Sequence, residues 1–296
     1  MPKRGSPIQE KRRIVVKRGV AYRFNDFDYL CRQAKHRPAI VVEGDSWVAY
    51  PRKWILSGPS INLAHHLENQ IEFTDTVNLL RISSNGDTAV GMTSGKQFAD
   101  MEKMLQKNKK HITMMLFSAG GNDIVGESDL DPLIEDYTDQ ADFMDCIKTN
   151  AFNNKLDKII EAYRNMIALW EQVVPNAKII THTYDIAKPW SQGAHFFWGL
   201  YSSKSWVWPT MEKRNIPLEF RLPIIQYMLE AFAARLIALQ SEASAQGRFF
   251  VVDTQGILAP GNTQEWLNEI HPTPKGFKRI FDEIYPVMRQ LEPALP

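Results

Sequence analysis

Four short stretches of this chain put chemically capable residues directly after, or close beyond, apolar runs. Residues 39–42 lead into Glu43-Gly44-Asp45-Ser46-Trp47, and residues 76–82 lead into Ser83-Ser84-Asn85-Gly86-Asp87. Residues 112–118 lead into Ala119-Gly120-Gly121-Asn122-Asp123, and His271 sits near the carboxyl end in Asn268-Glu269-Ile270-His271-Pro272. A hydroxyl, a backbone N–H at a glycine, a side-chain amide and an imidazole are the components of acyl transfer. Ser46 Oγ would attack an ester carbonyl, and His271 would take its proton and return it to the leaving alcohol. The backbone N–H groups of Ser46 and Gly86 and the amide of Asn122 would donate to the developing oxyanion. Singly, each has a plainer reading: Ser46 as a helix N-cap, Gly86 and Asn122-Asp123 as turn residues, His271 as a loop histidine. Asp123 reads as a local hydrogen-bond acceptor that fixes its loop. Four such stretches in this order favour a site.

Strands must carry these residues. The β-branched run 39–42 reads as a strand buried on both faces, and 76–82, 112–118, 177–183 and 248–253 have the same character. Helical spacing of apolar residues marks about 25–34, 62–70, 96–109, 154–174, 223–245 and 274–290, the last opening on Pro274. Residues 129–150 read as acidic helix and loop. Strands alternate with helices and no hairpin signal intervenes, which implies βαβ units and a parallel sheet. Right-handed crossovers then place helices on both faces, giving a three-layer α/β/α sandwich. In such sheets ligands bind at the carboxyl ends of the strands, where Ser46, Asn122 and Tyr184 fall.

Residues 1–23 read as an arm, with seven basic side chains against Glu10 in the first eighteen and a short strand at 13–16. Residues 24–296 are expected to form one domain with an aromatic-rich insertion at about 186–220. Trp190, Phe196, Phe197, Trp198, Tyr201, Trp206 and Trp208 crowd this insertion. It is either a satellite core under a long loop or a lid that offers apolar area to a substrate. Trp47, Tyr184 and Trp198 are the candidate substrate contacts.

Composition sets outer limits. With 296 residues, 44% hydrophobic content and a net charge of +1, nothing calls for nucleic acid as a partner. Cys31 and Cys146 have no metal-ligand or redox spacing. No run of about 18 apolar residues is present, so no integral membrane segment is expected, while peripheral contact stays open. No apolar stretch follows the basic N-terminal residues, so no secretory signal is expected and a reduced, cytoplasmic setting is the default. Oligomeric state is not legible.

At this point the chain resembles the SGNH (GDSL-type) hydrolases. The resemblance rests on Gly-Asp-Ser at Ser46, Gly86, Gly-x-Asn-Asp at Asn122 and a histidine before proline at His271, blocks that span about residues 38–280. It implies a flavodoxin-like sheet of about five parallel strands. It also implies esterase, lipase, thioesterase or acylhydrolase activity that needs no metal or other cofactor. One position departs: the family places an aspartate three residues before the histidine, and here Asn268 stands there. An amide orients an imidazole but supports its positive charge less than a carboxylate does. Glu269, next in the chain, is the charged alternative. The leading expectation is a serine ester hydrolase acting through a Ser46 acyl-enzyme, with a lipid or other apolar acyl ester favoured over a carbohydrate O-acetyl ester. The expectation from another class is a catalytically weak protein that holds an ester or glycan. Asn268→Asp is expected to give little or no gain.

Overall fold

The computed structural model describes residues 7–49, 62–84, 86–126, 128–191, 195–196, 201–202, 205–242 and 244–296, and all that follows concerns these. In chain order the first elements are α1 (Pro7–Arg18), β1 (Val20–Ala21), α2 (Phe24–Gln33), β2 (Ala39–Gly44), α3 (Ser46–Ala49), α4 (Leu63–Ile71) and β3 (Asn78–Arg81). Then come α5 (Ala89–Met92), α6 (Gly95–Asn108), β4 (Ile112–Ser118), α7 (Gly121–Val125), α8 (Thr149–Val173) and β5 (Lys178–His182). The last are β6 (His195–Phe196), β7 (Tyr201–Ser202), α9 (Val207–Lys213), α10 (Leu218–Gln240), β8 (Phe249–Val252) and α11 (Pro274–Leu291).

Six strands form one parallel sheet in the order β1-β3-β2-β4-β5-β8. All six residues of β2 are buried, as a strand covered on both faces requires. One helical layer runs through α2, α6, α8 and α10, each packed on the next, and α4 packs with α11 in the other. The expected three-layer α/β/α arrangement with a flavodoxin-like parallel sheet is therefore present.

The sheet has one strand more than expected. Val20–Ala21 pairs with Leu79 and Leu80 at the edge, and two residues are too few to show any periodicity in a sequence. The strand expected at 13–16 is instead part of α1. Ile14, Val15 and Val16 resemble a strand in isolation, but they lie inside a run of helix formers, and Val15 and Val16 pack against the core. From Pro7 onward the expected arm is thus a helix against α2 followed by an edge strand.

Residues 129–150 hold two short 3-10 turns, Asp131–Leu133 and Phe143–Cys146, joined by an antiparallel bridge from Ile134 to Ile147. Among the described helices α10 alone is long and apolar enough to cross a bilayer. Here Ile224, Met228, Phe232 and Leu236 are buried in a helix packed on α8 and β8. Of the insertion, the structure describes the small β6–β7 pair and α9. Trp198, named above as a substrate contact, lies outside the described residues.

Candidate active site

Ser46 follows β2 at once, and Gly44 makes that junction feasible. A Cβ on Gly44 would sit 2.3 Å from the Ser118 carbonyl oxygen of the neighbouring β4, too close for any side chain. Asp45 then caps α3: its Oδ1 accepts the Trp47 N–H at 3.0 Å and its carbonyl accepts from Val48 and Ala49. The capping duty weighed for Ser46 is therefore performed by Asp45. Ser46 itself is 7% exposed and lines a cleft at the carboxyl ends of β2, β4 and β5.

The same cleft is lined by Trp47, Gly121, Asn122, Val125, Tyr184, Leu229 and Ile270. Gly120 opens α7 at φ +102°, and a Cβ there would press into the Phe232 ring at 2.4 Å. That turn delivers Asn122 and Asp123 together. Asn122 Nδ2 donates to the Asp87 carbonyl at 3.1 Å, and Asp123 Oδ2 accepts the Ala89 N–H at 2.7 Å. Two adjacent side chains on α7 thus grip the segment just after Gly86. Asp123 does serve as an acceptor that fixes a loop, but the loop is the one bearing Gly86. Burial raises its carboxyl to about 6, against the pull of the Ala89 N–H.

His271 lies in a tight loop between Glu265 and Thr273. The Leu267 N–H donates to the His271 carbonyl at 2.8 Å, and Trp266 bridges Pro272. Asn268 organises this loop from within. Its Oδ1 accepts the backbone N–H groups of Ile270 at 3.0 Å and His271 at 2.8 Å. Those two donors fix which end of the amide is oxygen, since a reversed amide would set NH2 against both. His271 Nδ1 then lies 3.2 Å from Oδ1 and 3.1 Å from Nδ2 of Asn268. If Nδ1 carries the proton it donates to Oδ1, and Nε2 is left as a base. If it does not, Nδ2 donates to it and Nε2 holds the proton instead. Asn268 accommodates both tautomers, whereas a carboxylate would accept from one only. Complete burial lowers the His271 pKa to about 3.

Glu269 turns away from this role. Its Oε1 accepts the N–H of Trp190 at 3.0 Å and of Trp208 at 2.7 Å, and its Oε2 accepts those of Trp206 at 2.5 Å and Val207 at 2.9 Å. Three of these donors belong to the first turn of α9, whose orphan N–H groups attract an anion. Burial pushes the Glu269 carboxyl up while the four N–H groups pull it back. Its expected place as the imidazole's charged partner is corrected accordingly: it is the anchor of the aromatic insertion. The Trp206 ring, held by that anchor, packs edge-on to His271 with centroids 5.3 Å apart. Dense aromatics signalled the insertion in the sequence, but nothing there marked Trp206 as the imidazole's neighbour.

The two remaining candidates lie on the cleft floor with little ring exposed. Trp47 is 4% exposed, with His182, Tyr184 and Phe277 packed around its ring. Its indole Nε1 donates to the Ile270 carbonyl at 3.0 Å. Trp47 is thus more a tie between loops than the open substrate contact expected from sequence. Tyr184, also 4% exposed, donates or accepts through its hydroxyl at 2.5 Å from Asp45 Oδ2. The cleft therefore unites Ser46, Asn122, Trp47, Tyr184 and the neighbour of His271. Gly86 is not among its lining residues; it sits in an open turn at φ +80°. Among the described residues no cluster of His, Cys, Asp and Glu is arranged to hold a metal ion.

No family's sequence profile matches this chain, and no curated protein sequence matches it. Solved structures do. The lipase Lip_vut3 from a goat rumen metagenome superposes with a TM-score of 0.53 at 12% identity, over 86% of this chain and 97% of that one. A family 3 carbohydrate esterase from Clostridium thermocellum gives 0.51 at 14% identity, over 88% of this chain and all of the other. A member of the lipolytic G-D-S-L family from Veillonella parvula aligns more loosely, with a TM-score of 0.44 at 12% identity over 85% of this chain and 98% of that one. At such identities the likeness is one of fold alone, the α/β/α sandwich described above.

Proposed function

We propose that this protein is a serine ester hydrolase. The observation that carries the reading is the convergence of Ser46, Asn122 and the His271 loop on one cleft at the carboxyl edge of a parallel sheet. Ser46 Oγ attacks the ester carbonyl while His271 Nε2, with Nδ1–H donating to Asn268 Oδ1, takes the hydroxyl proton. The negative charge that forms on the carbonyl oxygen is met by the Ser46 N–H and an N–H of Asn122, both in the cleft lining. The protonated imidazole then delivers its proton to the leaving alcohol, and water repeats the sequence on the acyl-enzyme. The lipase and carbohydrate-esterase names of the similar structures agree with ester chemistry and divide on the substrate.

An apolar acyl group is the substrate class we favour. Val125, Ala187, Leu229 and Ile270 give the cleft an aliphatic lining. A chain-length series of nitrophenyl esters tests this. Turnover is expected to persist or rise from acetyl to longer acyl groups, and to vanish in Ser46→Ala with the fold intact. Cleavage confined to acetyl esters would move the reading to a carbohydrate O-acetyl ester. Near-normal turnover by folded Ser46→Ala would remove Ser46 from the reaction.

A further inference from the structure

The acyl-transfer chemistry leaves a set of buried polar groups unused directly behind Ser46. Asp45, Ser118, His182 and Tyr184 come from the ends of β2, β4 and β5, and all are at most 4% exposed. His182 Nδ1 lies 2.9 Å from the Thr183 carbonyl oxygen, and its Nε2 lies 2.9 Å from Ser118 Oγ. Ser118 Oγ is 3.2 Å from the Tyr184 hydroxyl and 3.2 Å from Asp45 Oδ1. The Tyr184 hydroxyl is 2.5 Å from Asp45 Oδ2.

Counting protons along this chain limits what it can be. A carbonyl only accepts, so His182 Nδ1 carries a proton, and in a neutral ring Nε2 is then an acceptor. Ser118 must give its single proton to that Nε2. It therefore has none for Asp45, and its contact with Tyr184 is made by the tyrosine proton. The short contact between Tyr184 and Asp45 then needs a proton from the carboxyl group. Two other patterns compete with it: Tyr184 donating to an ionised Asp45 at 2.5 Å, which leaves the 3.2 Å Ser118–Tyr184 contact without a proton, and a charged His182 with an ionised Asp45 separated by Ser118. In the second case two full charges would lie in a site closed to water.

Burial weighs against the charged pattern at both ends. It raises the Asp45 carboxyl to about 7, against hydrogen bonds from Tyr184, Trp47 and Ser118, and it lowers His182 to about 4. The other ionisable groups that bear on Asp45 are Tyr184 beyond β5, Tyr163 on α8 and Asp123 on α7. When Asp123 is ionised, its like charge favours the proton on Asp45 further.

We propose that Asp45 is a positioning residue held in its protonated, neutral form, donating into a one-way chain from Asp45 through Tyr184, Ser118 and His182 to the Thr183 carbonyl. Its bearing on catalysis rests on the serine-hydrolase reading above. The chain fixes the turn that carries Ser46, because Asp45 Oδ1 still caps the Trp47 N–H. It also keeps a negative charge away from the place where the oxyanion forms, where an adjacent carboxylate would oppose the transition state.

Infrared difference spectra of the full chain, labelled with carbon-13 aspartate and compared with Asp45→Asn, test this. A carboxylic-acid C=O band at about pH 6, shifted in heavy water and missing from Asp45→Asn, is the expected result. A difference that shows only an ionised carboxylate would overturn the proposal. Should Asp45→Asn fail to fold, Tyr184→Phe keeps the carboxyl and removes its partner, so the same band must move; a band that stays put overturns the assignment. In kinetics, Asp45→Asn supplies an amide N–H in place of the carboxyl proton, and its kcat should stay within about tenfold of wild type at pH 6. Wild-type activity should decline as pH rises through about 7, where Asp45 ionises, and Asp45→Asn should lack that decline. A loss of about 10² or more in Asp45→Asn, with the fold kept, would mean that a carboxylate is required there and would overturn the proposal. The infrared band needs no turnover, so a failure of the esterase reading would appear separately, as a band in place with no hydrolysis.

Discussion

The Trp47 indole N–H donates to the Ile270 carbonyl at 3.0 Å, and so a single hydrogen bond ties the residue after Ser46 to the residue before His271. Two loops 223 positions apart in the chain, from β2 and from the approach to α11, are thereby held in register.

Trp47→Phe keeps an aromatic ring among His182, Tyr184 and Phe277 but leaves the Ile270 carbonyl without this donor. A buried acceptor deprived of its partner costs about 1–3 kcal/mol, which sets the expected loss of stability in denaturant. Because the bond spans the nucleophile and base loops, kcat should fall by about tenfold or more while KM changes little. An unchanged kcat with the stability loss present would make the bond purely architectural.

The position of Asn268 reverses the expectation drawn from the sequence alone. A carboxylate there would keep both backbone N–H bonds and accept from His271 Nδ1–H, so its charge would face three donors. It would also remove the tautomer in which Nε2 is protonated. Asn268→Asp should therefore raise kcat by about tenfold or more, bounded by the roughly 10⁴ that the opposite change costs in a Ser-His-Asp triad. The pH–rate profile should show its acid limb move upward, since a carboxylate raises the pKa of the neighbouring imidazole. No gain, with the fold intact, would mean that Asn268 already enforces the active tautomer.

Glu269→Gln separates anchoring from catalysis. One amide oxygen cannot replace two carboxylate oxygens that accept four N–H groups, so about two donors of the 190–208 segment lose their acceptor. Each such loss costs on the order of 1–3 kcal/mol, and Trp206 should loosen from His271, raising KM for long acyl esters. A fall in kcat alone, with stability unchanged, would return Glu269 to the imidazole.

Much of the fold was legible because its signals are local. Residues 112–118, with the apolar run 114–117 at their centre, emerge as β4 (Ile112–Ser118) with the expected limits. Pro274 opens α11 with Thr273 as its cap. Two-residue β1 carries no periodicity, and α1 holds three consecutive apolar residues that mimic a strand. Among the candidate residues, Ser46, Gly86, Asn122 and His271 could be named because each sits in a short local block, and of these the cleft lining brings Ser46 and Asn122 together. Glu269 could not be aimed from sequence, because its direction is set by backbone N–H groups 61 to 79 positions away. Ser118 and His182 gave no signal at all: their chain of hydrogen bonds exists only once β4 and β5 lie side by side.

Ser46 as the nucleophile is tested most directly by exposing the folded protein to a fluorophosphonate and mapping the adduct by mass spectrometry. One phosphonyl group on Ser46 is expected, absent from Ser46→Ala and slowed in Asn122→Ala by about 10²–10³, as loss of one oxyanion donor would cause. No adduct on the folded wild type, or an adduct on another serine that survives Ser46→Ala, would contradict it.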